Sequence, residues 1–458
     1  MSELLTLEPY QEAGVAFLAS RRHALLGDEM RLGKTPQSIA AVDQVGAQTV
    51  IVVTVAVGVF NWQRQFEQWS VFDRDIHVVT TGRQATPQSG VIILSFDQAK
   101  AHAARLPAAD VLIVDECHFV KSATAARTTA LLGKQGVIHR AKRTWFLSGT
   151  PLPNGDPREL WTILFTCGVT RLTYDEFQER YCEGWTGPYG FTISGLRNVD
   201  ELQRALKPFM LRRMWKDVMS QLPELTFQNI TVPPADVDTL VWFPEWEHKK
   251  DALQEEICKE RQVLNALHEV ICEGRSNARA QSFSGGLEQL ATTMTTLRRY
   301  TALQKVPAVV EMVTRELERG AYEKLVIFCV HQNPIEALRR ALSKYGAVTL
   351  YGGTSPEGRR RNIEKFHSNP KCRVFIGQVL ASGTNVDLSC ASDILMVEQD
   401  WTPGVNAQAV MRCHNIKQHK NVHVRIIGLA NDVDERVQTT IRRKTQQLAT
   451  MFDKNPAE

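Results

Sequence analysis

Cysteine is scarce in this sequence, and the few cysteines are scattered. The 458 residues include nine cysteines, and no two of them form a Cys-x-x-Cys pair. An odd number without such pairs argues against a disulfide framework and against a zinc or iron–sulfur cluster. Unpaired thiols are typical of a reducing compartment, so we expect an intracellular protein.

Long apolar runs and a strong charge of either sign are also missing. The most apolar stretch, residues 49–60, is shorter than the roughly 20 residues of a membrane-spanning helix. The polar, acidic start of the chain does not resemble a signal peptide, so we expect no membrane association. The net charge of +4 neither demands nor excludes nucleic acid, because binding needs a local basic groove more than a large total charge.

The length and the hydrophobic pattern predict more than one structural unit. A single core stops growing near roughly 250–300 residues, so we expect two or three units. Short apolar runs alternate with helical patterns in the first and last thirds, which predicts α/β units with parallel sheets covered on both faces. We place one unit at residues 1–228, with a helical extension after about residue 160, and another at 304–458; the charged residues 229–303 predict a helical linker or insertion.

The loop after the first predicted strand has the composition of a phosphate-binding loop. Gly33, Lys34 and Thr35 follow an apolar strand and precede a helical pattern, which is the context such a loop requires. Its backbone N–H groups would cradle phosphates, Lys34 would reach the β- and γ-phosphates of ATP, and Thr35 would hold Mg²⁺. The usual first glycine is Asp28 here, and a turn with a surface lysine gives the same pattern, so the loop alone leaves both interpretations open.

A second segment favours the first interpretation. The apolar residues 111–114 end in Asp115 and Glu116, and the carboxyl end of a buried parallel strand is where ligands bind. Asp115 would complete the Mg²⁺ shell, and Glu116 would orient or deprotonate the attacking water. His118 is either a coupling residue or a structural histidine.

Two further segments follow predicted strands. Ser148 and Thr150, in the run Ser-Gly-Thr-Pro, would sense the γ-phosphate, although an ordinary turn has the same composition. In the last third, Arg412 ends a helix that contains Gln408. A positioned arginine stabilises charge on a transferred phosphoryl group, although a surface arginine is the simpler interpretation of Arg412 alone.

Taken in order, these segments resemble the Swi/Snf-type ATPases of helicase superfamily two over nearly the whole chain. The matching segments are residues 7–11, 28–35, 61–62, 115–121, 148–161, 209–223 and 401–414. The run Phe-Met-Leu-Arg-Arg at 209–213 resembles a stretch peculiar to this family. Residues 181–195 resemble the annealing-helicase branch, which rewinds DNA and remodels stalled forks.

The resemblance implies a fold, two cofactors and a set of site residues. It implies two RecA-like lobes that close on ATP and Mg²⁺, with DNA across their other face, and movement along duplex DNA without strand separation. The residues implied for nucleotide binding are Tyr10, Gln11, Asp28, Met30, Arg31, Leu32, Gly33, Lys34, Thr35, Gly383 and Asp387. The residues implied for catalysis are Lys34, Asp115, Glu116, Gln408 and Arg412. Thr35 and Asp115 are implied as Mg²⁺ ligands, and the residues implied for coupling are His118, Ser148 and Thr150.

The implied partner is duplex or forked DNA, bound without sequence preference and with affinity that falls with salt. Candidate DNA contacts are Lys121, Arg212, Arg213 and Trp401; each also fits a solvated charge or a core aromatic. We expect a monomer that a protein partner targets, in the cytoplasm of a bacterial cell or a virus-infected host and associated with DNA.

Two residues depart from the family pattern. Arg31 stands where the family usually has glycine, and Asn415 stands where it has a second arginine finger. Loss of a finger costs about 10³–10⁵ in turnover where one finger carries the effect, although Arg412 remains and Lys417 lies nearby. Three interpretations therefore stay open: a translocase on duplex or branched DNA, a strand-separating DNA or RNA helicase, and a slow ATP-gated DNA clamp.

Overall fold

The computed structural model describes residues 6–187, 190–218, 223–235, 287–382, 386–415, 417–429 and 432–452. The chain divides into two compact units: Met1–Glu183, Gly195–Leu222 and Lys444–Glu458 form the first, and Gly184–Ser194 and Pro223–Arg443 form the second. The charged core of the predicted insertion, residues 246–273, lies outside the described residues, and the predicted boundaries stay predictions. No helix in the described ranges is long and apolar enough to cross a membrane.

The N-terminal half of the chain alternates strands and helices. The strands are β1 (His23–Leu26), β2 (Thr49–Thr54), β3 (Ile76–Val79), β4 (Gly90–Ser95), β5 (Ala109–Asp115), β6 (Ala141–Leu147), β7 (Cys182–Gly187), β8 (Gly190–Leu196) and β9 (Met210–Leu211). The helices are α1 (Pro9–Ala19), α2 (Lys34–Gln44), α3 (Val59–Trp69), α4 (Phe96–His102), α5 (Ala126–Leu132), α6 (Arg158–Thr166), α7 (Tyr174–Tyr181), α8 (Val199–Leu206) and α9 (Trp215–Val218).

The sheet of the first unit has seven strands in the order β3-β4-β2-β5-β6-β1-β9, and its pairings are parallel. Successive side chains of a strand point to opposite faces. Leu25 accordingly belongs to one buried cluster, whereas Ala24 and Leu26 belong to another. Burial on both faces is why these strands read as continuous apolar runs, and it confirms the predicted α/β class.

The second unit repeats this architecture. Its strands are β10 (Leu225–Val232), β11 (Leu325–Cys329), β12 (Val348–Leu350), β13 (Val374–Gln378), β14 (Asp393–Met396) and β15 (Val422–Leu429), and the order in the sheet is β10-β15-β14-β11-β13-β12. The following helices are α10 (Leu287–Glu318), α11 (Gln332–Ala341), α12 (Pro356–Ser368), α13 (Val379–Ser382), α14 (Pro403–Val410) and α15 (Asp432–Phe452). The pairings are again parallel.

The apolar pattern did not predict four strands, β7 to β10. β10 is an edge strand with several exposed positions, and Phe227 within it is 61% exposed, so its sequence lacks the continuous apolar run of a central strand. β9 has two residues and is defined by its pairing with β1. The helix α10 begins at Leu287, within the predicted helical insertion, and extends beyond it to Glu318 with Pro307 in its interior.

Candidate nucleotide-binding site

The register of the first sheet brings three of the predicted segments to one edge. Leu26 pairs with Leu147, and Asp115 at the end of β5 pairs with Leu147 from the other side. The loop after β1, the acidic pair after β5 and the Ser148 turn after β6 therefore leave the sheet side by side. Carboxyl ends of parallel strands are where such folds bind ligands.

The loop after β1 ends at the N-terminus of a helix. It ends at Gly33, whose φ of 74° is in the left-handed region, and α2 begins at Lys34. This left-handed conformation favours glycine, and a Cβ at Gly33 would in addition displace the end of the Gln11 side chain. The N-terminus of the 11-residue helix α2 thus opens onto the loop and presents its positive end there.

Lys34 folds back over this loop. Its Nζ donates to the carbonyl oxygens of Asp28 at 2.8 Å and Glu29 at 3.1 Å. Burial lowers the pKa of Lys34, and the charges of Glu116, Asp28 and Asp115 act in the opposite direction. The ammonium of Lys34 therefore lies within electrostatic reach of Asp115 and Glu116, the acidic pair at the end of β5.

Asp115 and Glu116 occupy different environments. Burial and the neighbouring Glu116 raise the pKa of Asp115 to about 6, although the bonds it accepts from Trp62 and Thr54 act in the opposite direction. Glu116 itself has φ 50° and ψ 50°, a left-handed conformation that a side-chain-bearing residue adopts at a cost. Such strain is concentrated at functional sites.

His118 connects Glu116 with the turn after β6. Its Nδ1 lies 3.1 Å from Ser148 Oγ, and the backbone N–H of Thr150 donates to the same oxygen at 3.1 Å. Burial, with Lys121 nearby, lowers the pKa of His118 to about 4, so the imidazole is neutral near pH 7. Its 3.4 Å approach to Glu116 Oε2 is therefore a dipolar contact at that pH, not an ion pair. The three predicted coupling residues form one chain of contacts.

Tyr10 and Gln11, which the family resemblance implies for the nucleotide, lie on α1, against the phosphate loop. Gln11 Nε2 donates to Leu32 O at 3.3 Å, and Gln11 Oε1 accepts the backbone N–H of Glu8 at 2.9 Å, which caps the helix. The carbonyl of Tyr10 accepts a bond from Arg213. Met30 packs so closely on Gly149 that a Cβ there would lie 2.3 Å from Met30 Cγ. The loop therefore contacts α1 on one side and the Ser148 turn on the other.

The family-specific stretch at 209–215 is built onto the phosphate loop. The N–H of Gly27 donates to Leu211 O at 2.7 Å, and that of Glu29 donates to Arg213 O at 2.9 Å, which continues the β1–β9 pairing into the loop. Trp215 adds two bonds, from its backbone N–H to Glu29 Oε2 at 2.8 Å and from its indole to Met30 O at 2.9 Å. The segment thus holds one side of the loop.

A buried ion pair joins this stretch to Asp28. Arg213 Nε donates to Asp28 Oδ1 at 2.9 Å, and a second N–H of the guanidinium donates to Asp28 Oδ2. Asp28 has no exposed surface, and the Arg213 side chain is 13% exposed. Gln37 of α2 donates to Asp28 at 3.2 Å and to Leu32 O at 2.9 Å, and it accepts from Arg213 at 2.8 Å. One guanidinium therefore links α1, α2, the loop and β9.

Arg212 and Arg213, which were predicted to touch DNA, have partners within the first unit. Arg213 neutralises a buried carboxylate, and Arg212 donates to Gly27 O at 2.9 Å and lies 4.5 Å from the ring centre of Phe452. Both guanidinium groups serve the phosphate loop. The signal in the sequence was Asp28 itself, because a buried carboxylate requires a cation.

Lys121, another predicted DNA contact, also has a partner within the first unit. Its Nζ lies 2.5 Å from Glu159 Oε1, and its backbone carbonyl accepts from Thr162 at 3.0 Å. Glu159 in turn accepts two bonds from Asn154, whose Oδ1 accepts from Lys444 at 2.8 Å. The ammonium of Lys121 thus forms an ion pair with a carboxylate of the first unit.

In the second unit the segments that contain Asp387 and Arg412 lie side by side, because Asn415 Nδ2 donates to Asp387 Oδ1 at 3.5 Å and to Arg412 O at 3.0 Å. Asp387 accepts a bond from Lys417 Nζ at 3.0 Å; burial alone would raise the pKa of this carboxyl, but the bonds from Lys417 and Ser389 lower it to about 2. Arg412 follows α14, where Gln408 is half-buried, and its carbonyl accepts from Leu388 N at 2.9 Å. Gly383 lies outside the described residues.

Trp401 lies in the loop before α14, with the guanidinium of Arg298 5.1 Å from its ring centre. The residue is half-buried. The structure thus places it neither fully in the core nor fully on the surface, and its predicted contact with DNA stays a prediction.

Asn415 is committed to the fold of its own loop. It is 1% exposed, its Nδ2 donates to Arg412 O at 3.0 Å, and its Oδ1 accepts from Lys417 N at 3.0 Å. An arginine at this position would lose both of these hydrogen bonds within the loop.

The oxygen ligands beside the phosphate loop suit a magnesium ion whose other ligands come from the nucleotide and from water. No cluster of three or more His, Cys, Asp or Glu that could hold a metal ion is found in the part of the chain that the structure describes. Mg²⁺ at nucleotide sites uses one or two protein oxygens, and phosphates and waters complete its shell. The hydroxyl of Thr35 in the first turn of α2 and the carboxylate of Asp115 match that requirement.

Two family patterns match the chain. The SNF2-related domain matches residues 10–282, which is more than half of the sequence. The helicase conserved C-terminal domain matches residues 304–417. The matched ranges contain the described residues of both units that carry the predicted site.

Curated proteins are similar along nearly the whole chain. The SWI/SNF-related matrix-associated actin-dependent regulator of chromatin subfamily A-like protein 1 of Xenopus tropicalis is 28% identical over 96% of this chain and 44% of that protein. Its Bos taurus counterpart is 30% identical over 97% of this chain and 44% of that protein. The DNA annealing helicase and endonuclease ZRANB3 of Mus musculus is 28% identical over 96% of this chain and 40% of that protein. The chain thus spans less than half the length of these relatives.

A solved structure titled Sulfolobus solfataricus SWI2/SNF2 ATPase core in complex with dsDNA aligns with 98% of this chain and 95% of that chain. The sequence identity is 18% and the TM-score is 0.44. A score at that level establishes no shared arrangement of the whole chain.

Removal of Arg213 should destabilise the first unit strongly. Arg213→Met leaves the buried Asp28 carboxylate without a cation, and we expect the free energy of unfolding to fall by about 3–5 kcal/mol. The double variant Asp28→Asn with Arg213→Met removes both charges and should recover part of the loss. Urea denaturation followed by circular dichroism measures both. A loss below about 1 kcal/mol for Arg213→Met, the scale of an exposed ion pair, would contradict this assignment.

Arg31 should carry backbone strain at the position where the family usually has glycine. Its φ of 67° lies in the left-handed region, which costs a side-chain-bearing residue about 1–2 kcal/mol. Because Arg31→Ala keeps the Cβ and Arg31→Gly removes it, we expect the glycine variant to be the more stable of the two by about 1 kcal/mol. Equal unfolding free energies for the two variants would show that the strain is absent.

Proposed function

Because the chain belongs to the SNF2-related family, we propose that it is an ATP-driven motor that moves along double-stranded or branched DNA. The family match confirms the resemblance to Swi/Snf-type ATPases. One observation carries the proposal: Lys34, Asp115 and Glu116 meet at the carboxyl edge of a single parallel sheet, within mutual electrostatic reach. A half-buried lysine with two carboxylates at a helix N-terminus suits phosphate chemistry.

The roles of these side chains follow from their surroundings. Lys34 would exchange its two carbonyl acceptors for phosphate oxygens of ATP. Glu116 would orient the attacking water and accept its proton. Mg²⁺, held by Thr35 and Asp115, would neutralise developing phosphate charge when bound. His118, neutral near pH 7, would pass changes at Glu116 to Ser148 through the contacts that join them.

Two facts support DNA as the proposed partner: the family to which the chain belongs and the printed names of similar proteins. Two of the similar proteins are DNA annealing helicases by name, from Mus musculus and Homo sapiens. We extend that substrate class to this chain and propose forked and blunt duplex DNA as activators. Arg213 and Arg212 are not among the proposed contacts, since both serve the phosphate loop; Trp401 remains one.

ATP turnover by the purified chain should rise when duplex or forked DNA is added. Lys34→Ala and Glu116→Gln should each lower the stimulated rate by at least about 10²-fold, because they remove phosphate binding and water activation respectively. Phosphate release is measured without DNA and with single-stranded, blunt duplex and forked DNA. Strong stimulation by single strands alone, together with displacement of a labelled strand, would instead support a strand-separating helicase. No stimulation by any DNA would refute the proposal.

One observation favours a second candidate, an ATP-gated DNA clamp that hydrolyses slowly. Asn415 is buried and its amide closes its own loop, so it supplies no cation where the family has its second arginine finger. Lys417, whose side chain is 69% exposed, is held by Asp387. A chain with this loop could bind ATP and DNA and turn over rarely.

Asn415→Arg separates the two candidates. If the chain is the proposed motor, Arg412 suffices and DNA-stimulated turnover changes by less than about tenfold. If it is a clamp that lacks its finger, turnover rises by about 10³-fold or more. Asn415→Ala, which removes the same loop contacts without adding a cation, is the control for effects of loop opening. Turnover is measured with saturating forked DNA for all three proteins.

A further inference from the structure

Trp62 contacts the proposed magnesium ligand directly, although the sequence places it in a different motif. The indole N–H of Trp62 donates to Asp115 Oδ2 at 2.8 Å, and the hydroxyl of Thr54 donates to the same oxygen at 2.9 Å. Oδ1 accepts the backbone N–H of Glu116 at 3.0 Å. Two donors therefore occupy both acceptor positions of Oδ2, while Oδ1 keeps one for another ligand.

The fold places all three groups with little freedom. Val53 pairs with Val114, so Thr54 ends β2 directly beside Asp115. A Cβ at Gly58 would lie 2.8 Å from Thr54 Oγ1, which shows how closely the start of α3 approaches that hydroxyl. One turn into α3, Trp62 is 1% exposed and packs in the core.

The indole of Trp62 packs against a second aromatic ring of α3 and donates its N–H to a carboxylate. Phe66, one turn further along α3, has its ring centre 6.0 Å from that of Trp62, so the ring is fixed by packing on its apolar side. A buried indole needs an acceptor for its N–H, and many backbone carbonyls could provide one. Here the acceptor is the carboxylate of Asp115.

We propose that Trp62 is a positioning residue that holds the Asp115 carboxylate in one orientation for magnesium-bound nucleotide. This inference rests on the proposed function, in which Asp115 is a magnesium ligand. Trp62 touches neither metal nor nucleotide in this role; it acts through Asp115 and shares the task with Thr54. Hydrogen-bond partners of metal ligands typically contribute about 10–100-fold to metal affinity.

The test compares nucleotide affinity in excess Mg²⁺ with affinity in excess EDTA, by fluorescence anisotropy of labelled ADP and the full chain. The ratio of the two affinities is the gain that Mg²⁺ provides. Trp62→Phe keeps the ring and removes the N–H, so we expect the gain to fall by about 10–100-fold while the affinity in EDTA stays the same. Thr54→Val, which removes the other donor at constant shape, should lower the gain in the same direction and serves if Trp62→Phe fails to fold.

The matched control is Trp145→Phe. Trp145 is also fully buried, belongs to the same core cluster and donates its indole N–H to Arg21 O at 3.4 Å, away from Asp115. It should keep the Mg²⁺ gain in full. In an Asp115→Asn background, Trp62→Phe should cause no further loss of gain, because its effect passes through that carboxylate.

The outcomes separate this inference from the proposed function. If the unaltered chain gains affinity from Mg²⁺ and Trp62→Phe keeps that gain, the inference alone is wrong. Equal losses in Mg²⁺ and in EDTA would assign Trp62 a packing role only and would also overturn it. No gain in the unaltered chain would overturn the proposed magnesium site and the inference with it.

Discussion

Asp28 lies wholly inside the first unit, in the middle of the loop between β1 and α2. An unpaired carboxylate there would cost several kcal/mol, so the loop conformation depends on Arg213. The same guanidinium also bonds Tyr10 of α1 and Gln37 of α2. Residues that are far apart in sequence thus fix the loop that places Lys34, before any nucleotide binds.

Much of the site could be predicted because its sequence signals are local. Buried parallel strands read as apolar runs, and polar residues at their ends meet at one edge, so Lys34, Asp115 and Glu116 were found from pattern and family resemblance. The roles of Arg213 and Trp62 were missed. An arginine pair reads as a surface charge and a tryptophan at helical spacing reads as core, and only long-range pairing shows what each one bonds.

The departures from the family pattern affect the two units differently. Arg31 keeps a left-handed conformation that suits glycine, so the first unit retains the loop shape at a cost in stability. Glu116 is also left-handed, so the acidic pair at the end of β5 carries backbone strain as well. In the second unit the side chain of Asn415 forms hydrogen bonds within its own loop. Asparagine in place of the family's arginine therefore removes a charge there without a left-handed backbone.

Amide hydrogen exchange of the nucleotide-free chain tests the dependence on Arg213 most directly. The N–H groups of Gly27 and Glu29 bond to the 209–213 stretch, so the account predicts slow exchange for both in the unaltered chain. In Arg213→Met the same amides should exchange at least about tenfold faster, while those of the distant strand β4 keep their rates. Unchanged exchange at Gly27 and Glu29 in that variant would show that the loop holds its conformation without the ion pair, and would contradict the account.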